Sequence, residues 1–327
     1  MKTKTGRTWR ALRKVMGLAV LTLVLLIGVA LKLAPYIYTE ISSWIEPHAI
    51  VDAAPAVLAR GTMVDDYWAV ERLNAGTFAI GEPRYYQRNY SYLILGTKRA
   101  LLFDAGSGTR DILPIVKRLT SLPVTVMPSH LHYDHMGGIT RFNAIALIDL
   151  PATRADVHYG QFIPTRYEFV GLIDDLVLPG FQVSQWIHPG NWIDLGGRRL
   201  QVLSTPGHTP TSAALFDPGY TQFFAGDFIY PGQLYAQLPG ASRSAYRSTT
   251  NALLASLPHE TTIWSAHCCR PGEGIRAPYL GVGDLIALQL ALDRFSAGHL
   301  PARGFYPRKF GVNERLEFFT GFPWTNE

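Results

Sequence analysis

The chain is poor in several features that sort proteins quickly. Among its 327 residues there are only two cysteines, Cys268 and Cys269, and they are adjacent. Two cysteines cannot supply the framework of a disulfide-dense secreted domain; a vicinal disulfide is the less common alternative, and Cys268 is expected instead as a packed neighbour of His267. There are no internal repeats, which argues against a repeat architecture, and there is no low-complexity tract or lipidation motif. Charge of one sign is scarce too. Net charge is +5, yet Lys2, Lys4, Arg7, Arg10, Arg13 and Lys14 supply six positives with no acid among them. Setting those six aside leaves 24 basic against 25 acidic residues, so the body is almost neutral. That balance excludes the electrostatic footprint of a nucleic-acid binder.

Charge is missing altogether from residues 15–31, which are rich in Leu, Val and Ala. As a helix this run would span roughly 25 Å, a little short of a hydrocarbon core of about 30 Å. Lys32 can snorkel, and Leu33, Ala34, Tyr36 and Ile37 lengthen the apolar surface. Trp9 on one side and Tyr36, Tyr38 and Trp44 on the other resemble interfacial aromatic belts. The expected arrangement is a single-pass signal-anchor with its basic end cytoplasmic and everything after it outside the cytoplasm. The competing reading is a signal peptide cleaved after the small residues of Gly28-Val29-Ala30, giving a secreted protein. The corresponding division is a basic N-terminus at 1–14, a membrane-spanning segment at 15–38, a linker and first surface segment at 39–75 with Pro47 and Pro55, and one large domain at 76–327.

In that domain, strand-like runs fall at 78–80, 90–95, 100–103, 124–127, 200–203, 213–216, 222–224 and 262–264. Helical spacing appears at 112–119, 246–257 and 282–295, with Pro114 tolerable only near a first turn. Gly137 and Gly138 are expected to let the chain turn tightly. Residues 151–190 are aromatic-rich without a clean period, fitting either a substrate-facing insertion or ordinary surface packing. Strands in both halves, several followed by helices, predict an α/β fold with two sheets.

The chemistry is carried by His130-x-His132-x-Asp134-His135, which packs four N/O donors into six residues directly after an apolar strand. His208, Asp227 and His267 follow three later apolar runs. Alternate residues of an extended segment face the same way, so His130 and His132 can grip one ion. Asp134 and His135 lie after the segment begins to turn and can face a second ion. His208 and His267 are available to complete the two sets, and Asp227 has two oxygens with which to bridge them. Seven such donors suffice for two ions and an activated water. His48, His158, His188, His259 and His299 occupy no comparable setting.

This pattern resembles the metallo-β-lactamase superfamily, and within it the glyoxalase II-like hydrolase branch, over roughly residues 78–267. The resemblance implies a four-layer αβ/βα sandwich with two divalent metal ions, zinc being expected, at one edge. It assigns His130, His132 and His208 to one metal, and Asp134, His135 and His267 to the other, with Asp227 bridging. Asp104, in an Asp-x-Gly turn, would orient ligands. Where the commonest β-lactamase class has Cys, this chain has Asp227, so penicillin hydrolysis is not implied. Where diiron flavoproteins have Glu, it has His132, which weighs against electron transfer. The tail from residue 272 onward, with aromatics through Trp324, does not match the glutathione-binding helical region of glyoxalase II.

The implied reaction is attack of a metal-bridged hydroxide on an activated carbonyl of a small-molecule thioester, lactone or ester, with Asp134 orienting the water. Tyr230, three residues after Asp227, matches in offset a tyrosine of superfamily lactonases and thioesterases and would donate to the developing oxyanion. Two other classes remain: a mononuclear iron persulfide dioxygenase, separable by metal identity, and a non-catalytic metal-binding interaction module, separable by substituting Asp134.

Overall fold

A computed structural model describes residues 4–45, 58–177, 180–269 and 274–322. Pro47 and Pro55, with residues 46–57 of the expected linker, and Trp324, with the last residues of the tail, lie outside the described residues.

The chain begins with helix α1 (Lys4–Lys32), and after Leu33 helix α2 (Ala34–Ile45) follows. The stretch Leu12–Lys32 is long and apolar enough to cross a membrane, and none of it is buried against the rest of the protein. Its 21 residues rise about 31 Å as a helix, close to the thickness of a hydrocarbon core. α2 behaves differently. Pro35, Thr39 and Ser43 recur at the spacing of one helix face and are buried against the domain. Tyr36 and Tyr38, expected as belt aromatics, instead set their rings 4.8 Å from Tyr167 and 5.6 Å from Tyr306.

The first sheet runs in sequence order: β1 (Thr62–Met63), β2 (Ala69–Asn74), β3 (Thr77–Gly81), β4 (Tyr90–Leu95), β5 (Ala100–Phe103) and β6 (Val124–Met127). All neighbours are antiparallel except β5 and β6, whose parallel crossover carries helix α3 (Leu113–Leu119). Pro114 sits in the first turn of α3, where its missing N–H costs nothing. After the short helix α4 (Tyr133–Met136), β7 (Ala146–Ile148) leads into the segment 151–190. That segment has structure its sequence did not announce. It holds α5 (Pro151–Ala155), the two-residue strands β8 (Val157–His158) and β9 (Gln161–Phe162), α6 (Arg166–Phe169), a 3-10 turn at Gly171–Ile173, and β10 (Gln185–Ile187), which pairs in parallel with β7. These elements are too short to display a period, which is why the sequence pattern looked irregular.

The second sheet is ordered β11 (Trp192–Asp194), β12 (Arg199–Ser204), β13 (Ala213–Asp217), β14 (Gln222–Phe224), β16 (Thr262–Trp264) and β17 (Tyr279–Gly281). Between β14 and β16 lie β15 (Gly232–Ala236) and α7 (Arg243–Ser256). α8 (Val282–Ser296) precedes β18 (Arg308–Gly311) and β19 (Leu316–Thr320), which join β15 in a small third sheet.

Side-chain alternation makes the layers. On β4 and β5, Tyr92, Ile94, Leu101 and Phe103 point between the two large sheets and meet Leu200, Val202, Leu215 and Phe224. Their sequence neighbours Leu93 and Leu102 point the other way, onto Ile115 and Val116 of α3. Across the second sheet, Ala214, Phe223 and Ile263 face Leu253 of α7 and Leu285, Leu288 and Leu292 of α8. Helix, sheet, sheet, helix is therefore the order, the αβ/βα sandwich expected from the sequence. Burying each such leucine contributes roughly 1.5–3 kcal/mol. Arg198 ties the sheets together, donating to Asp217 Oδ2 at 2.5 and 2.8 Å, to Thr77 Oγ1 at 2.7 Å and to the Gly76 carbonyl at 2.7 Å. A charge so buried is tolerable because its donors are paired.

Candidate metal centre and its cavity

Each candidate ligand sits just beyond the C-terminal end of a strand. Asp104 follows β5, His130 to His135 follow β6, His208 follows β12, Asp227 follows β14, and His267 follows β16. β5 with β6 and β14 with β16 are the parallel neighbours, so their C-terminal ends share one edge of each sheet. A backbone bond from Ala213 to Ser129 (2.6 Å) and a bridge between Asn89 and His267 join the two edges. The sandwich thereby brings together residues separated by more than 130 positions.

The donor atoms form three overlapping groups, each within 4.8 Å: His130, His132 and His208; His130, His135 and Asp227; Asp134, His135 and His267. Asp227 reaches both ends. Its Oδ2 lies 3.0 Å from His267 Nε2 and 3.7 Å from His208 Nε2, and its Oδ1 lies 3.4 Å from His135 Nε2. Outer partners fix which ring nitrogen turns inward. Nδ1 of His208 meets the Tyr235 carbonyl at 2.8 Å, Nδ1 of His267 the Gln87 carbonyl at 3.1 Å, and Nδ1 of His135 the Asp104 carboxylate at 3.0 Å. His130 uses Ser129 Oγ in the same way, at 3.0 Å. Such partners hold tautomer and ring orientation for a metal.

Asp104 itself has φ of 66°, a left-handed backbone that Asp tolerates better than most residues. The turn aims its carboxylate at both Ser129, whose N–H it accepts at 2.5 Å, and His135. Gly137 has a different task from the one expected of it. Its backbone is ordinary helical (φ −57°), so no special turn requires glycine there. A Cβ would instead stand 2.1 Å from the Ser107 carbonyl oxygen, and glycine is needed for that close approach.

The electrostatics divide the histidines into two sets. Burial pushes His130, His132 and His208 down, His132 to about 3, keeping their lone pairs available. Burial would do the same to His135 and His267, but Asp134 and Asp227 outweigh it for His135, and Asp227 above all for His267, so both move up. Burial alone would raise Asp134 and Asp227; His135 and His267 reverse this and hold both carboxylates ionised. His130 Nε2, His135 Nε2 and Asp227 Oδ1 are buried yet have no hydrogen-bond partner. Leaving buried polar atoms unpaired is costly unless something else binds them. Three such atoms converging on one point fit a metal centre.

The cluster opens into a cavity of about 840 Å³, near the upper end of small-molecule sites. Tyr230 lines it, with its ring 5.0 Å from that of His267. Its hydroxyl, expected to face a developing oxyanion, donates to the Gln233 carbonyl instead. Cys268 and Cys269 line the cavity too, with their sulfurs bonded to each other, so Cys268 is more than a packed neighbour of His267.

Several contributors were not singled out in the sequence. Asn89 donates to the Asp134 carbonyl at 2.7 Å and to its carboxylate at 3.1 Å. Glu82, fully buried and pushed up by that burial, accepts from Tyr67, from the Ser107 hydroxyl and from the Ser107 N–H, bracing the Asp104 turn. Gln237, completely buried, lines the cavity with neither end of its amide paired. Val170 and Ile173 bring the 151–190 segment to the cavity, and Leu316 and Glu317 bring the tail. None of these lies in a dense donor motif, so sequence offered no signal for them beyond residue type.

The sequence profile of the Metallo-beta-lactamase superfamily matches residues 86–267, more than half of the chain. The chain belongs to this superfamily. It is 29% identical over 208 residues to the acyl-coenzyme A thioesterase MBLAC2 of Gallus gallus, covering 55% of this chain and 73% of that protein. It is 28% identical over 243 residues to the hydroxyacylglutathione hydrolase of Aeromonas hydrophila subsp. hydrophila, covering 71% and 84%. Among solved structures, a metallo-beta-lactamase from Pontibacter korlensis superposes with a TM-score of 0.53 at 14% identity, over 69% of this chain and 99% of that one, a likeness of fold alone. The expectation of a glyoxalase II-like hydrolase of this superfamily is thus met.

Proposed function

We propose that the protein is a membrane-anchored, dinuclear metal-dependent hydrolase of acyl thioesters, with its catalytic domain outside the cytoplasm. The carrying observation is the pair of donor groups at the two ends of one cluster, with Asp227 reaching toward both. His130, His132 and His208 would hold one divalent ion, and Asp134, His135 and His267 the other, with Asp227 shared and zinc as the expected metal. When bound, the ions supply a water acidic enough to attack at neutral pH and a positive charge that polarises the carbonyl.

This chain's own residues do the rest. Asp134, ionised and steadied by Asn89, accepts a hydrogen bond from the attacking water and orients it. The unpaired amide of Gln237 offers both a donor and an acceptor to polar groups of the substrate. Attack forms the bond between water oxygen and acyl carbon, the acyl carbon–sulfur bond breaks, and the departing sulfur takes up a proton. Tyr230, held by Gln233, shapes the cavity wall beside His267. Lactones and oxygen esters suit the same steps, and the names of the two relatives favour thioesters. The uncharged run at 15–31, inside the apolar stretch Leu12–Lys32 and preceded by basic residues, supports anchorage with the basic end in the cytoplasm.

Steady-state turnover of acyl-coenzyme A and acyl-glutathione thioesters by the full chain tests the reading. Hydrolysis that disappears in Asp134→Asn is expected. Persulfide oxidation by an iron-loaded protein, with no thioester cleavage, would replace this function with the oxidoreductase alternative.

A further inference from the structure

The helix that follows the apolar span forms a wall of the catalytic cavity. Tyr38 and Ser42, one turn apart on α2, both line it. α2 is docked on two sides. Glu40 accepts from Arg166 at 2.8 Å and from the Tyr167 hydroxyl at 3.0 Å, both on the 151–190 segment. On the other side Tyr38 meets Tyr306, whose hydroxyl donates to the carbonyl of Gln237, 2.6 Å away. Thr39, between Tyr38 and Glu40, is completely buried. The cavity therefore lacks a closed wall unless α2 is in place.

α2 is also the element that directly follows the apolar span. Helical hydrogen bonds cross the joint, from Leu33 N–H to the Val29 carbonyl and from Ile37 N–H to the Leu33 carbonyl. Tyr38 thus lies six residues beyond Lys32, about 9 Å of helical rise from the end of the apolar span. Beside Tyr38 the cavity is lined by Val170, Ile173 and Leu238, which offer no charge to a ligand. A substrate dissolved in water has no use for a wall built next to the membrane. A substrate whose hydrocarbon tail rests in the membrane does.

We infer that the α2 side of the cavity takes the hydrocarbon tail of a long-chain acyl group delivered from the bilayer, and that Tyr38 and Ser42 set the preferred chain length. This deepens the proposed function and rests on it. Each methylene buried in such a slot strengthens binding roughly fourfold, so a chain-length series reads the slot directly.

The test uses the full chain in lipid nanodiscs. kcat/KM is measured for butyryl and palmitoyl thioesters, and binding for a palmitoyl thioether that cannot be hydrolysed. Ser42→Trp, which fills the slot from α2, is compared with Ile173→Trp, which fills it from the adjoining 151–190 segment and leaves the sequence of α2 unchanged should the first variant fail to fold. The expected result is a strong wild-type preference for palmitoyl that drops by at least about tenfold in each folded variant, with a matching loss of thioether binding. Equal losses for both chain lengths, or an unchanged ratio and unchanged binding, would overturn the inference. Thioether binding that depends on Ser42, in a protein that cleaves no thioester, would instead sink the hydrolase reading and leave the slot standing. Cleavage of both thioesters without chain-length preference would do the reverse.

Discussion

The candidate metal cluster and the α2 wall border the same cavity but are held by different forces. Around the cluster nearly every donor is buried, and four of the five histidines have the outward ring nitrogen tied to a carbonyl, hydroxyl or carboxylate. The α2 wall is fastened by its buried face of Pro35, Thr39 and Ser43, by ring contacts and by an ion pair whose partners, Arg166 and Glu40, keep 60% and 31% of their side-chain surface exposed. Buried and fully tied groups are costly to disturb, whereas a half-exposed pair contributes about 0–1 kcal/mol. The contrast teaches that the donor cluster is held by buried polar bonds, while the wall beside it is held by the packing of one helix face and a half-exposed ion pair. Specificity can then change without touching chemistry.

The largest effect should come from Asp227→Ala, which removes the carboxylate lying between the two donor groups. Thioester turnover should fall by roughly 10³-fold, comparable to losing a major electrostatic stabiliser, and steady-state kinetics checks it. A loss as small as that of an α2 variant would erase the contrast. Next, Asp104→Ala frees the His135 ring without removing a ligand. Metal affinity measured by competition with a chelator should weaken about 10- to 100-fold. Smaller still, Tyr230→Phe deletes only a bond to the Gln233 carbonyl, and kcat should fall less than about tenfold. A much larger loss of kcat with unchanged KM would mean that the hydroxyl turns toward the substrate during the reaction. Smallest is Glu40→Gln, which breaks the exposed pair. Urea unfolding should shift by no more than about 1 kcal/mol, and a greater shift would place α2 among the tightly held parts.

The two regions also differed in how far they could be read beforehand. Candidate ligands such as His130 and His132 come two residues apart in the bend just after a strand, and His208, Asp227 and His267 each follow an apolar run. The strand runs by themselves predicted only an α/β fold with two sheets; the four-layer sandwich came through the family resemblance, and the structure adds that Leu101 and Leu102 face opposite layers. The cavity wall had no such rule behind it. Tyr38 looked like a belt aromatic because local pattern cannot show that α2 folds back onto residues more than a hundred positions away. Gln237 and Val170 matter through where the chain carries them, and neither residue type announces a site. Gly137 was read as a turn former when its constraint is the nearby Ser107 carbonyl, a contact that sequence cannot reveal.

The central claim is that one cluster of seven side chains holds two catalytic ions. The most direct measurement is elemental analysis of the full chain purified without added metal or chelator, followed by zinc titration. Two divalent ions per chain, with Asp227→Ala retaining fewer, is the expected result. A single iron per chain, or no uptake at all on titration, would contradict the account.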